Sequence, residues 1–209
     1  MQEKNAARLR EQSPYSAAMT REQFLFHETR ITAKLVHEGL TRAEVVDRIV
    51  KENLFQFPTE RSLKLIASAC LRRLDALENP SLVDVIATER ADVAKQICLF
   101  AMMRQYRIVW DFMLTVVGAK YRTLDYSFGK IDLNVFFARL QSQDDWVATW
   151  SDSTVTKVKQ VLVKTLVENG YLDGTRAGRL NPVLIAPVLE TALRNAGMEL
   201  ALPAFNCMI

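Results

Sequence analysis

Apolar side chains recur at steps of three and four along most of this 209-residue chain, the spacing of helices that each bury one face. Residues 20–39 open on Thr20 with Gln23 three positions on, the pattern of a capping box, and stop at Gly39, which suits a left-handed helix end. Phe24, Ile31, Leu35 and Val36 give that predicted helix its apolar stripe. Thr41 and Glu44 repeat the box and predict a second helix, buried through Val45, Val46, Ile49 and Val50 and ending near Asn53. Pro58 keeps Phe57 out of helical geometry, and Thr59 stands ready to cap a third helix. Leu63, Ile66, Ala67, Cys70, Leu71, Leu74 and Leu77 mark its core face.

The outer face of the third helix carries Arg61, Lys64, Ser68 and Arg72 at i, i+3, i+7 and i+11, with the hydroxyls of Thr59 and Ser62 at its start. Two helices joined by a turn, the second basic on its outside, form the pattern of a helix-turn-helix, although this turn is longer than the usual three or four residues or so. "NPS" at 79–81 breaks the chain and is the expected boundary between residues 1–79, with a first helix-turn-helix-like pair at about 41–78, and residues 80–209.

From about Ser81 to Arg122 the chain predicts two or three strongly apolar helices, with Leu99, Met102, Met103, Trp110, Phe112 and Met113 in the core. "RTLDYSFGK" reads as a loop. "IDLNVFFARL" reads as a short helix burying Leu133, Phe136, Phe137 and Leu140, and "QSQDDWVATW" as a turn. Ser151, Asp152, Ser153 and Thr154 then offer several N-caps to a helix whose core side is Val155, Val158, Leu162 and Leu166 and whose stop is Asn169-Gly170. Lys157, Gln160 and Lys164 share its opposite side. In the following "YLDGTRAGRL", Arg176 and Arg179 are exposed by their chemistry. The stretch at about 130–180 therefore resembles a second, winged helix-turn-helix-like element, its wing being either a short β hairpin near 171–180 or an irregular loop. The expected fold is all-α, a compact multi-helix globular chain with two such units.

Composition agrees with many helices: hydrophobic residues make up 49%, while Gly and Pro number only 7 and 6. The net charge of +3 permits an anionic partner without requiring one, so the distribution of charge matters more than its sum. Lysines on the outside of an amphipathic helix are also what an ordinary solvated face shows. Phosphate contacts nonetheless need little more than Lys, Arg and hydroxyl residues near a helix start, and both candidate helices have them. The DNA-facing candidates are thus Thr59, Arg61, Ser62, Lys64, Ser68 and Arg72 on one helix, Ser153, Thr154, Lys157, Gln160 and Lys164 on the other, and Arg176 and Arg179 beyond it.

Chemistry of other kinds finds no constellation. Neither a phosphate-binding G-x-x-x-x-G-K-[ST] loop nor a G-x-G-x-x-G turn occurs. The two histidines, His27 and His37, have no partners at metal-ligand spacing. Asp144-Asp145 reads as a turn or helix cap, and Cys70 and Cys98 as small hydrophobes on apolar faces. No enzyme activity, cofactor or metal is expected. Three cysteines, Cys70, Cys98 and Cys207, without a disulfide framework fit a reducing cytoplasm. The first twelve residues lack the apolar stretch of a secretory signal, and Arg104, Arg107 and Asp111 interrupt the most apolar region before it reaches the roughly 18 residues of a membrane span. No long heptad seam appears, which favours a monomer.

"YSAAMTREQFLFHET", "KENLF", "ACLRRLDAL", "RQYRIVWDFM", "WSDSTVTKVKQVL" and "LVENGYL" follow one another in an order that resembles the BrxA family, small proteins of BREX bacteriophage-exclusion systems, over about 15–189. The resemblance implies an all-α protein with helix-turn-helix elements that binds double-stranded DNA as a non-enzymatic accessory of a defence system, alongside other BREX components that carry the methyltransferase and ATPase activities. A protein-interaction adaptor that positions larger defence components is the alternative. RNA is a weaker fit, since few aromatic residues fall on the predicted exposed faces to stack bases. The label "putative inner membrane protein" often given to that family disagrees with the interrupted apolar region above.

Overall fold

A computed structural model describes residues 2–207. Its helices, in chain order, are α1 (Gln2–Gln12), α2 (Phe26–His37), α3 (Arg42–Lys51), α4 (Glu60–Ala76), α5 (Pro80–Thr88), α6 (Ala91–Gln105), α7 (Arg107–Phe112), α8 (Gly118–Arg122), α9 (Lys130–Gln143), α10 (Asp145–Ala148), α11 (Asp152–Glu168) and α12 (Pro187–Asn195). A 3₁₀ turn at Ala18–Thr20 precedes α2, and another 3₁₀ stretch, Glu199–Phe205, follows α12. Met113–Val117 is a π-helical turn that carries α7 without interruption into α8. The fold is all-α, and the described residues form no sheet. The chain divides into two compact units, one of Phe24–Gln105 and one of residues 1–23 with Tyr106–Ile209.

In the unit of 24–105, Thr41 caps α3 reciprocally: its side chain accepts from the Glu44 N–H while the Glu44 carboxylate accepts from the Thr41 N–H at 2.8 Å. Thr59 caps α4 by accepting from the Ser62 N–H at 3.2 Å. With both helix starts satisfied, Val45 and Ile49 pack with Leu63, Ile66, Ala67, Cys70 and Leu71 in one core that also takes Leu35 and Phe55. Each large aliphatic chain buried there contributes about 1.5–3 kcal/mol. The Asn79-Pro80-Ser81 break, expected to separate two units, lies inside this one as the link from α4 to α5.

The capping box expected at Thr20 does not form. Thr20 instead closes the 3₁₀ turn by donating its hydroxyl to the Ala17 carbonyl at 2.8 Å, and α2 begins only at Phe26. The cause is tertiary. Phe24 is buried, and its carbonyl accepts a 2.7 Å bond from the buried Arg73 guanidinium. Leu25 then turns the chain through a left-handed conformation, φ 53°, rare for a side chain with a Cβ. Burial of Phe24 and the charge-assisted bond from Arg73 outweigh a local capping preference worth about 1 kcal/mol.

The other unit is built around the continuous helix from α7 to α8. Phe112 meets Phe136 of α9 edge-on at 5.4 Å between ring centres. Tyr171, fully buried, donates its hydroxyl to the Ala204 carbonyl at 3.0 Å. Gly118 brings α8 against the final 3₁₀ stretch so closely that a Cβ there would lie 3.1 Å from the backbone of Pro203 and Ala204. The segment read as a turn at 141–150 is the end of α9 and the single-turn α10, capped by Asp144, whose carboxylate accepts from the Val147 N–H at 2.8 Å.

Candidate nucleic-acid interface

The two candidate helices belong to different units, α4 to one and α11 to the other. On α4 the hydroxyls of Thr59 and Ser62 hydrogen-bond each other at 2.7 Å while Thr59 caps the helix, so both are occupied by local structure. Arg61 is exposed. Lys64 pairs with Glu60 at 3.3 Å, the half-buried Ser68 returns its hydroxyl to the Lys64 carbonyl at 2.8 Å, and Arg72 is half-buried. Alongside, an open groove between α3 and α4 is lined by Lys64 and Ser68 but also by Asp47 and Glu60. Lys51 pairs with Asp47 at 2.5 Å and Arg42 with Asp75. Such exposed pairs add little to stability, because water and salt screen them. Their larger effect is electrostatic: carboxylates interleave the basic stripe and weaken its attraction for phosphate.

The stripe on α11 differs. Ser151 caps the helix, its Oγ accepting from the Thr154 N–H at 3.3 Å and lying 2.9 and 3.0 Å from the hydroxyls of Ser153 and Thr154. Val155, Val158, Leu162 and Leu166 are buried as their spacing predicts, which turns Lys157, Gln160 and Lys164 to solvent on the opposite side. Among the described residues, neither lysine makes an ion pair with a carboxylate. Ser153 is exposed and Thr154 half-buried at the start of the same helix. The third lysine of α11 has another role, missed by the sequence pattern. The Lys159 Nζ donates to Asn134 Oδ1 of α9 at 2.8 Å and sits 5.2 Å from the centre of the Phe137 ring, fastening α11 to α9.

After α11, residues 171–181 form an irregular loop. No hairpin occurs at 171–180; the irregular alternative is the one the chain adopts. Its one β feature is an isolated antiparallel bridge from Arg179 to Ser127, with the Phe128 N–H donating to the Gly178 carbonyl and the Leu180 N–H to the Tyr126 carbonyl. The Arg179 guanidinium lies over the Tyr126 ring at 5.2 Å, and Asn181 ties the loop to itself through the Gly170 carbonyl and the Asp173 carboxylate. Arg176 and Arg179 are exposed and line an open hollow of roughly 570 Å³. The pairing with 126–128 spans about fifty positions, so no local signal in 171–180 could reveal it.

Among the described residues no three His, Cys, Asp or Glu side chains converge as metal ligands. His37 pairs with Asp84 at 2.7 Å, and His27 is exposed. Burial raises the Cys70 thiol to about 11 and the Cys98 thiol to about 12, the opposite of an activated nucleophile. Burial and a 2.7 Å bond to Asp111 likewise push the Tyr15 hydroxyl up to about 12. No helix among the described residues is long and apolar enough to cross a membrane.

Comparison with known proteins bears on the whole of this arrangement. The chain is 33% identical over 178 residues to a BREX protein BrxA of Bacillus cereus (strain H3081.97), covering 84% of this chain and 88% of that one. It is 27% identical to the BREX protein BrxA of Escherichia coli O9:H4 (strain HS), over 82% of this chain and 80% of its relative. A crystal structure of an uncharacterized protein from Magnetospirillum magneticum has the same fold, with a TM-score of 0.79 at 23% identity over 92% of this chain and 98% of that one. The profile of the BrxA family matches residues 13–197, nearly the full span of both units, and the chain belongs to that family.

Proposed function

We propose that this protein is a BREX component that binds double-stranded DNA and catalyses no reaction on it. The observation that carries the reading is the outer face of α11. There Lys157, Gln160 and Lys164 stand exposed with, among the described residues, no carboxylate paired to either lysine, next to the Ser153 and Thr154 hydroxyls at the helix start. The order of α9, the single turn α10 and α11, followed by a loop bearing Arg176 and Arg179, is that of a helix-turn-helix with an irregular wing. Lysine and arginine on such a surface neutralise phosphates and release their counterions, whereas Gln160 can donate and accept at a base edge or phosphate.

The pair α3 and α4, with Thr59, Arg61, Ser62, Lys64, Ser68 and Arg72, is the second contact region in this reading, and the weaker one. Lys64 is already paired and Asp47 and Glu60 stand beside it. In this reading the protein works as a monomer in the reducing cytoplasm, where thiols stay free. The experiment is a fluorescence-anisotropy titration of a labelled duplex at roughly 50 and 200 mM salt. Four phosphate contacts lower the affinity by about a hundredfold across that range, from a slope of about −0.9 per contact. Absence of binding at the lower salt would remove the reading.

A further inference from the structure

The α9 helix shows solvent an apolar stripe. Ile131 and Val135, one turn apart, are 77% and 63% exposed, exposed Ala138 continues the same face, and Leu124 just before the helix is 71% exposed. Single exposed aliphatic residues are ordinary, but contiguous ones mark contact surfaces. Ile131 and Val135 border a hollow of roughly 280 Å³ between α9 and the continuous helix of 107–122, whose other wall includes Val116 and Ala119. Val116 belongs to the π turn, a rare irregularity that gathers at functional sites. A hollow this small and open lies below the range of about 300–1,000 Å³ usual for small-molecule pockets. A trough between two helices is instead the shape that receives the side chains of a third.

Charge narrows the occupant. Lys120 and Asp132 both reach the hollow, yet they pair with each other at 2.9 Å. Lys120 also holds Asp125 at 2.9 Å, and the second Asp132 oxygen accepts from the Gly129 N–H at 2.8 Å. Arg139 is left at the edge of the hollow, exposed and without an ion pair among the described residues. Arg122 and Lys130, near the stripe in sequence, are exposed in the same condition. The surplus sign is positive. A second copy using the same face would set one surplus-positive face against another in a two-fold pairing, which like charge opposes.

We propose that this face docks an amphipathic helix of a partner protein, one with Leu-like side chains at i, i+3 or i+4, and i+7 and with Glu or Asp along its flank. The proposal is independent of the DNA reading, since α9 turns Asn134 to α11 and the Ile131–Val135 stripe to solvent. Its test uses the full chain and two fluorescein-labelled helical peptides that share one apolar face, the first flanked by Glu and the second by Lys. The expected result is binding of the Glu-flanked peptide at least about tenfold tighter than the Lys-flanked one. Ile131→Ser with Val135→Ser should weaken it by at least a further tenfold or so, and Arg139→Glu should shift the preference towards the Lys-flanked peptide. All these substitutions fall at exposed positions, and an unchanged circular-dichroism melt confirms the fold. Equal binding of both peptides, no binding of either, or a double-serine variant that binds like the parent overturns the proposal. Self-association in sedimentation that the double-serine change abolishes overturns it too, by giving the face to a second copy.

Discussion

The Lys159 ammonium donates to the Asn134 side-chain carbonyl at 2.8 Å and rests against the Phe137 ring, so one lysine of α11 serves the packing of the helix on α9. Lys157 and Lys164 remain outside. The division of labour predicts two separable phenotypes. Lys159→Ala should lower stability by about 1 kcal/mol, through one hydrogen bond and one partly desolvated cation–ring contact, and leave the salt dependence of duplex binding as it was. A urea melt read beside a binding titration distinguishes the two; a changed salt slope with an unchanged melt would place Lys159 on the phosphate-facing side after all.

Gly118 tests the close approach of α8 to the final 3₁₀ stretch. An alanine Cβ would sit 3.1 Å from the Ala204 nitrogen and the Pro203 carbonyl carbon, backbone atoms that cannot swing aside. Helix propensity alone favours alanine by about 1 kcal/mol, yet overpacking costs about 1–3 kcal/mol. The backbone contact wins, so Gly118→Ala should lower the melting temperature. A rise would mean that the 3₁₀ stretch yields.

Asp125 supplies a pH signature. Bonds from Ser127 and the Lys120 ammonium hold its carboxyl at about 2, below the ordinary value of about 3.9 for an unfolded chain. A carboxylate lowered in the folded state stabilises it above the unfolded pKa, and that contribution fades as pH falls through the folded one. Asp125→Asn should therefore flatten the acid limb of stability between about pH 4 and pH 2 and reduce stability at neutral pH. Chemical unfolding measured at several pH values reads both effects.

The thiols should rank by burial. With Cys70 at about 11 and Cys98 at about 12, the thiolate fraction of either at pH 8 is about one in a thousand or less. Cys207 is half-buried and its thiol is raised as well, chiefly by burial. In a thiol-disulfide assay on the native chain Cys207 should react first and slowly, and Cys70 and Cys98 only with unfolding. Fast labelling of Cys70 would show that the α3–α4 core opens locally.

What could be read from the sequence was what short stretches decide by themselves. The α3 box of Thr41 and Glu44, the Thr59 cap and the Ser151 start formed where their patterns stand, and the core faces of α4 and α11 followed their spacing. The Thr20 pattern failed because Arg73, far along the chain, holds the carbonyl of Phe24. The π turn at Met113–Val117 has no apolar period of its own, and the bridge from Arg179 to Ser127 joins segments that carry no mutual signal. The same limit applies to charge. Spacing placed Lys64 and Lys157 alike on outer faces, and Glu60 stands one helical turn from Lys64 in the sequence itself, but only the fold shows Asp47 beside Lys64 and, among the described residues, no carboxylate paired to Lys157.

The central claim is that Lys157 and Lys164 on the outer face of α11 meet phosphate, and charge reversal at both tests it most directly. For Lys157→Glu with Lys164→Glu, the slope of log affinity against log salt should become shallower by about two contacts' worth, with weaker binding to every duplex sequence and an unchanged melt. A variant that binds duplex DNA with the parent's affinity and the parent's slope would contradict the account.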